Sequence, residues 1–168
     1  MPKIGQQFPE FKLETYFPKD QSTEHITNHD YRGQWLVLFY YPADFTFVCP
    51  TELKDMAGRY GEFKKIKAEI IAISTDTVYT HKAWRDTEKL LENVDFPMAA
   101  DHDGELAKSL GIFNAGSGEA DRGVYIIDPD GYLQAFEIVA DNIGRAAGEI
   151  LRKLKALAFV RDNPNQAC

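Results

Sequence analysis

The sequence has 168 residues, 44% of them hydrophobic and 27% charged, with a formal net charge of −7. This length is typical of one domain with a buried core, and the negative charge argues against nucleic-acid binding through a basic surface. No apolar run approaches the ~20 residues that a membrane-spanning helix needs, and the N-terminus lacks the apolar region of a secretory signal. We therefore expect a cytoplasmic protein that binds neither nucleic acid nor membrane, with one domain over residues 1–160 and a polar tail over 161–168.

The first part of the chain predicts short strands followed by a central strand. Residues 8–16 alternate loosely between apolar and polar and contain proline, which predicts an edge strand or a short hairpin. Ile26 marks a second short strand. Residues 35–41 are apolar without alternation, which is typical of a strand covered on both faces. A helix with one apolar face is expected from Cys49 onward.

The remaining elements alternate between strands and helices. The predictions in chain order are a strand at 69–74, a helix at 78–91, a short strand at 96–100, a helix at 104–110, a loop at 112–120, a strand at 123–128, a turn at 128–131, a strand at 132–140 and a helix at 143–160. This order indicates an α/β fold, with a mixed sheet flanked by helices.

Cys49 lies where the central strand gives way to a helix. Pro50 suits the first helical position, which would place Cys49 at the N-cap and Glu52 at the spacing of a capping box. Unpaired N–H groups and the helix dipole at that position favour a thiolate, the nucleophilic form. The hydroxyl of Thr46 can hydrogen-bond the sulfur or an incoming oxygen. The alternative is a buried structural cysteine.

The sequence argues against a metal site and against a disulfide scaffold. His25 and His29 have an i, i+4 spacing, but no further ligands complete a set, so we predict no metal. The two cysteines, Cys49 and Cys168, are too few for a disulfide scaffold. In a reducing compartment such a pair is more often catalytic or transient than structural.

Residues 42–52, PADFTFVCPTE, resemble the active-site motif of the peroxiredoxins. The resemblance is greatest to the typical two-cysteine branch, to which the peroxidase component of bacterial alkyl hydroperoxide reductase belongs. Further matches follow in order at residues 73–77, 81–84, 120–123 and 143–145. The resemblance implies a thioredoxin-like fold with an N-terminal extension. It also implies a thiol peroxidase, acting on hydrogen peroxide and organic hydroperoxides, without metal, haem or flavin of its own.

The resemblance assigns the family's catalytic set to Pro42, Thr46, Cys49 and Arg122. Cys49 is then the nucleophile that attacks the peroxide and becomes a sulfenic acid. Arg122 supplies positive charge, although the sequence alone would favour a surface arginine at that position.

A charged pair and a group of aromatic residues are predicted to surround this catalytic set. Glu52 and Arg145 match a supporting acid and a second arginine, with helix capping and a solvent-exposed position as the alternatives. Phe45, Phe47 and Trp84 are expected to provide apolar walls.

Cys168 occupies the place of the family's resolving cysteine, which usually comes from the partner subunit of a homodimer. The proline and C-terminal arm that follow this cysteine in the family are absent here, so an incidental terminal thiol, with resolution by an external thiol, is the alternative. The resemblance further implies an external reductant, either a flavin disulfide reductase or a thioredoxin-type protein. It also implies a ring of dimers built through residues 76–80.

Two other enzyme classes fit poorly, and one non-enzymatic class remains open. A thioredoxin-like dithiol oxidoreductase needs Cys-x-x-Cys, but Glu52 occupies the fourth position. A phosphatase-type loop needs an arginine six residues after the cysteine, where Asp55 stands. An oligomeric holdase chaperone is compatible with ring formation, but such a role alone does not explain why Thr46, Cys49 and Arg122 occur together.

Overall fold

The computed structural model describes residues 2–168 and has a seven-stranded mixed sheet at its centre. The strand order is β2-β1-β5-β4-β3-β8-β9. The strands of this sheet are β1 (Lys12–Phe17), β2 (Ser22–Thr27), β3 (Trp35–Tyr40), β4 (Ala68–Ser74), β5 (Met98–Ala100), β8 (Arg122–Ile127) and β9 (Leu133–Val139). Strands β3, β4 and β5 run parallel, whereas β8 pairs with β3 antiparallel.

Four α-helices within residues 2–168 flank the sheet. They are α1 (Cys49–Lys65), α2 (Val78–Thr87), α3 (Glu105–Leu110) and α4 (Ala147–Asp162). Short 3-10 turns cover Asn28–Tyr31 and Lys89–Leu91. The mixed sheet between helices confirms the fold class predicted from the alternation of elements.

The core lies on both faces of the sheet. Alternate residues of a strand point to opposite faces, so Val37 and Phe39 of β3 pack with α1, α2 and α4. Leu36 and Leu38 pack on the other face with α3 and the N-terminal segment. Every residue of β3 is buried, which confirms the predicted central strand.

The N-terminal hairpin differs from the edge-strand alternative. Strand β1 pairs with β2 on one side and with β5 on the other. Strand β2 is therefore the edge, and the hairpin alternative was the correct one. The strand at the opposite edge of the sheet is β9.

Helix α2 is shorter than predicted. It ends at Thr87 because Glu88 has an extended backbone, and the Glu88 carboxylate accepts a hydrogen bond from Leu90 N–H at 3.0 Å to start a 3-10 turn. Thr87 is exposed, and its hydroxyl donates to the Ala83 carbonyl.

Helix α4 begins four residues later than predicted. The N–H of Arg145 donates to the Glu52 carboxylate at 2.8 Å, and the N–H of Ala147 donates to the Asp55 carboxylate at 2.7 Å. These tertiary hydrogen bonds hold the segment before α4 out of the helix. Ile143, in this segment, is exposed.

The predicted loop at 112–120 contains a small hairpin. Strands β6 (Phe113–Asn114) and β7 (Glu119–Ala120) pair antiparallel and form a separate two-stranded sheet. Gly118 closes the hairpin with φ +76°, a left-handed conformation that glycine adopts without steric cost. Two strands of two residues carry no periodic pattern, so hydrophobic periodicity could not predict them.

Residues 2–168 contain neither a membrane-spanning helix nor a compact group of metal ligands. No helix in this part of the chain is long and apolar enough to cross a bilayer. No group of three or more His, Cys, Asp or Glu side chains is arranged to hold a metal ion in these residues.

Candidate active site

Cys49 is buried at the start of α1, directly after the turn that follows β3. Pro42, also buried, follows the end of β3, and Val48 is the N-cap of the helix. Cys49 is therefore the first helical residue, and the expected N-cap position was wrong by one residue. The helix dipole argument still applies, because the first turn carries the same unpaired N–H groups.

Arg122 lies beside the Cys49 sulfur. Because β8 runs antiparallel to β3, its first residue comes to the end of β3 that leads to Cys49. Arg122 Nη1 is 3.4 Å from Cys49 Sγ, and Arg122 Nε donates to the Asp141 carbonyl at 2.6 Å. The side chain is 4% exposed, so the surface-arginine alternative is wrong.

Glu52 joins the two arginines of the site. Its Oε2 accepts from Arg122 Nη1 at 2.7 Å and from Arg145 Nη2 at 3.2 Å. Its Oε1 accepts from Arg145 Nε at 2.9 Å and from the Arg145 N–H at 2.8 Å. The capping-box alternative is wrong, because the carboxylate binds arginine instead of the start of its own helix.

Arg145 supports the site from the segment before α4. Its Nη1 donates to the Gly123 carbonyl at 3.0 Å, and its guanidinium lies 3.7 Å from the centre of the Phe39 ring. Burial lowers the pKa of Arg145, although the Glu52 contact opposes this effect. The solvent-exposed alternative for Arg145 is wrong.

The buried charges of the site favour an anion at Cys49. Burial acts to lower the pKa of Arg122, but its contacts with Cys49, Glu52 and Asp141 outweigh burial and raise it. Arg122 and Arg145 both contact the buried Glu52 carboxylate, and Arg122 also lies 3.6 Å from the exposed Asp141 carboxylate. A negative charge on the Cys49 sulfur would be paired with the adjacent Arg122 guanidinium, and pairing is what makes a buried charge tolerable.

Thr46 lies three residues before Cys49 and is half-buried. Its hydroxyl donates to the Ala43 carbonyl at 3.0 Å. Within residues 2–168 it makes no hydrogen bond to the Cys49 sulfur. The hydroxyl proton is used in the bond to Ala43. The Thr46 oxygen can therefore act only as an acceptor, for a hydrogen bond from an incoming molecule.

The three aromatic residues expected as walls behave differently from one another. Trp84 is buried and its ring centre lies 5.7 Å from that of Tyr41. Phe45 lies 6.2 Å from Trp84, but its side chain is largely exposed. Phe47 is 99% exposed, so within a single chain it forms no wall.

Sequence reasoning missed Asp141 and Asp44 at this site. Asp141 contributes a backbone carbonyl to Arg122, and a backbone contact leaves no mark on the sequence. Asp44 stands inside the motif and is buried against His81 at 2.7 Å. Asp44 lies in the turn after β3 and His81 in α2, 37 positions further along the chain, and no sequence pattern links two residues so far apart.

Cys168 lies at the opposite end of α4 from Cys49. The start of α4 is held at α1 by Asp55, whereas its last turn is held by Arg161, which contacts Asp130 at 2.8 Å beyond the far end of β8. Cys168 is exposed and both cysteines are free. The two thiols of one chain are therefore not brought together.

Comparison with known proteins identifies the family. Residues 4–136 match the AhpC/TSA family. The chain belongs to this family. Among relatives of this AhpC/TSA-family chain, alkyl hydroperoxide reductase C of Amphibacillus xylanus is 40% identical over 168 residues, covering 100% of this chain and 89% of the relative.

Solved structures of the AhpC/TSA family confirm the thioredoxin-like fold. The crystal structure of Enterococcus faecalis AhpC has a TM-score of 0.94 and 38% identity, covering 100% of this chain and 99% of that one. The reduced 2-Cys peroxiredoxin of Plasmodium vivax has a TM-score of 0.90 and 29% identity, covering 95% and 83% respectively. The resemblance to two-cysteine peroxiredoxins is thereby confirmed.

Proposed function

We propose that this protein is a thiol peroxidase that reduces hydrogen peroxide and organic hydroperoxides. The observation that carries the proposal is the Arg122 guanidinium, 3.4 Å from the buried Cys49 sulfur at the first residue of α1. A cation and a helix N-terminus both favour the thiolate, the form that attacks peroxide. The relatives named alkyl hydroperoxide reductase C support the same reaction.

The first step forms a sulfenic acid on Cys49. The thiolate sulfur forms a bond to one peroxide oxygen as the O–O bond breaks, and the other oxygen leaves as hydroxide or alkoxide, which takes a proton from solvent to become water or an alcohol. Arg122 donates towards the oxygens, where negative charge develops, and Thr46 accepts a hydrogen bond from the peroxide. Pro42 and the buried end of β3 shield the sulfur from bulk water.

The second step converts the sulfenic acid into a disulfide and releases water. We propose that Cys168 of the partner subunit supplies the thiol. Helix α4 has 16 residues and is about 24 Å long. It starts beside α1, and the six residues after Asp162 reach at most about 22 Å. The tail of the same chain therefore starts too far away to serve its own Cys49 readily, which supports resolution between subunits.

Disulfide formation requires Cys49 to leave its buried position. A disulfide needs Cα atoms about 4.4–6.8 Å apart, and Cys49 is 0% exposed. The first turn of α1 must therefore open after oxidation. Opening of this turn breaks the Glu52 contacts with both arginines. The stability of the turn therefore sets the rate of disulfide formation.

The remaining parts of the proposal concern partners and location. The electrons that reduce the disulfide come from a flavin disulfide reductase or a thioredoxin-type protein in the cytoplasm. Dimers assemble into a ring through residues 76–80, where Tyr79 is 78% exposed. An exposed aromatic side chain at a helix start is suited to burial against another subunit.

Stoichiometric hydrogen peroxide added to the reduced protein tests the proposal. We expect a dimer on a non-reducing gel that is linked through Cys49 and Cys168, with the Cys49→Ser and Cys168→Ser variants unable to form it. A sulfenic or sulfinic acid on Cys49 of a monomer, with Cys168 free, would instead show that an external thiol resolves the intermediate. Absence of any modification at Cys49 by intact mass would overturn the peroxidase proposal.

A further inference from the structure

A fully buried aspartate–histidine pair lies outside the reacting groups. Asp44 Oδ2 is 2.7 Å from His81 Nδ1, and neither side chain is exposed. Tyr41 donates its hydroxyl to Asp44 Oδ1 at 2.7 Å, and His81 Nε2 lies 3.0 Å from the Ala99 carbonyl. Burial raises the pKa of Asp44, and the contacts with His81 and Tyr41 oppose that rise. Buried ionisable groups are costly unless they are paired and hydrogen-bonded, and here every polar atom of both side chains has a partner.

The pair ties the segment before Cys49 to three other parts of the fold. Asp44 stands five residues before Cys49 and two before Thr46. His81 belongs to α2, and Ala99 to β5. The backbone N–H of Asp44 also donates to Asp76 Oδ2 at 2.8 Å. Both the side chain and the backbone of Asp44 are thus anchored outside its own segment.

The residue after this anchor is held in an unfavourable conformation. Phe45 has φ +58°, a left-handed value that is uncommon for a bulky side chain. Such conformations persist only where the surrounding structure holds them. The Asp44 contacts on one side, and the hydrogen bond from Thr46 to the Ala43 carbonyl on the other, enclose Phe45. The anchor therefore sets where the Thr46 hydroxyl lies.

We propose that Asp44 and His81 are positioning residues for peroxide reduction. The pair clamps residues 42–48 against α2, so that Thr46 stays where an incoming peroxide meets Cys49. Within residues 2–168 neither side chain hydrogen-bonds to the Cys49 sulfur, and the pair acts only through Thr46 and the backbone of its segment. This inference rests on the proposed peroxidase function and extends it to groups 0% exposed to solvent.

Two rate constants measured on the same thiol separate positioning from general loosening. Reaction with hydrogen peroxide needs Thr46 in place, whereas alkylation by iodoacetamide needs only an accessible thiolate. We expect the ratio of the peroxide rate constant to the alkylation rate constant to fall at least tenfold in Asp44→Ala and in His81→Gln. Asp44→Asn should keep the ratio within about threefold of the wild-type ratio, because its amide can still accept from Tyr41 and donate to a neutral imidazole.

Asp101→Ala provides a matched control in the other half of the core. Asp101 is also a buried aspartate that accepts a hydrogen bond from a tyrosine, Tyr40, at 3.0 Å. We expect this variant to melt at a lower temperature but to keep the wild-type ratio. If Asp44→Ala does not fold, His81→Gln decides the question by itself.

The outcomes distinguish this inference from the function on which it rests. Ratios within twofold of wild type in both Asp44→Ala and His81→Gln would overturn the positioning role, as would an equal fall in Asp101→Ala. In either case a wild-type protein that still reacts with peroxide leaves the peroxidase function standing. A wild-type Cys49 that is alkylated but does not react with peroxide would overturn the proposed function itself.

Discussion

At the scale of single residues, Glu52 holds the site together. Its carboxylate is shared by Arg122 and Arg145, and all three side chains are less than 5% exposed. Removing one member of a buried ionic cluster leaves a buried charge without a partner. The resulting loss of stability is larger than the net stabilisation that the intact cluster provides. The position of Arg122 beside Cys49 therefore depends on a residue that does not contact the sulfur.

Replacing Glu52 with glutamine tests this dependence. Glu52→Gln should lower the free energy of unfolding by about 3 kcal/mol, because the buried guanidinium groups of Arg122 and Arg145 lose the negative charge of the carboxylate that both contact. It should also slow the reaction of Cys49 with peroxide, because Nη1 of Arg122 is no longer fixed. Urea denaturation and stopped-flow oxidation measure the two effects.

The matched control for this variant lies on the same helix. Glu62→Gln removes the same charge from an exposed ion pair with Lys155, and exposed pairs contribute little. We expect no measurable change in stability or rate. Equal effects from both substitutions would show that the net charge of α1, and not the buried Glu52 contact, determines the stability and the rate of Cys49 oxidation.

Asp101 gives a pH-dependent prediction. Burial raises the pKa of Asp101 above its ordinary value of 3.8, although hydrogen bonds from Ala107, Tyr40 and Leu106 oppose the rise. The folded state therefore keeps this proton at pH values where the unfolded chain has released it. It follows that this carboxyl's contribution to the unfolding free energy decreases as the pH rises from about 4 through the shifted pKa.

Comparing wild type with Asp101→Asn isolates that contribution, because the amide does not titrate. The difference in unfolding free energy, wild type minus variant, should fall with rising pH in this window and stay constant above it. Urea denaturation at pH 4, 5, 6 and 7 measures it. A difference that grows with pH would contradict the sign.

Sequence predicted some of the site residues and missed others for a physical reason. Thr46 and Cys49 stand in one continuous motif, and Arg122 was found only through the family pattern. The partners of Asp44 were missed because His81 is 37 positions away along the chain. A long-range side-chain contact leaves no periodic pattern, so only the folded chain shows it.

At the scale of elements, the interiors were predictable and the ends were not. Strand β3 and the centre of β4, residues 70–73, are uninterrupted apolar runs that suit a sheet covered on both faces. The end of α2 and the start of α4 depend instead on individual side chains: Glu88, which bonds locally, and Asp55, which bonds across 92 positions. Helix ends are therefore decided by capping contacts that a hydrophobic pattern does not contain.

The contact between Asp55 and α4 leads to a prediction about opening. Helix α4 has no side-chain cap from its own N-cap residue, Ala146, and Asp55 of α1 accepts from Ala147 N–H in its place. Asp55→Ala should lower the free energy of unfolding by about 1 kcal/mol, as loss of an N-cap does. It should also speed formation of the disulfide after peroxide addition, because the first turns of α1 lose one of their attachments.

Lys54→Ala is the neighbouring control, since Lys54 is exposed and belongs to the same turn. Quenched-flow sampling with thiol labelling measures the rate of disulfide formation in each variant. Slower disulfide formation in Asp55→Ala than in wild type would show that the contact does not restrain opening.

At the scale of the whole molecule, Cys168 and several aromatic side chains are exposed, whereas Cys49 is buried. Cys168 leaves from the end of α4 remote from Cys49. Phe45 is 60% exposed although it contacts Trp84 of α2, and Tyr79 is exposed in the first turn of the same helix. A single chain therefore contains both thiols of the proposed cycle but does not bring them together.

Tyr79 provides the test of the proposed ring. Tyr79→Asp should leave dimers in place of rings, because a carboxylate buried between subunits without a partner is costly. Sedimentation velocity should show a single slower species, while the peroxide-induced disulfide still forms, since that step needs only two subunits. Phe159→Asp, a change at an exposed aromatic residue of α4, serves as the control and should sediment as wild type does. Rings that persist in Tyr79→Asp would place the contacts between dimers on another surface, and loss of the disulfide together with the ring would show that resolution itself depends on assembly.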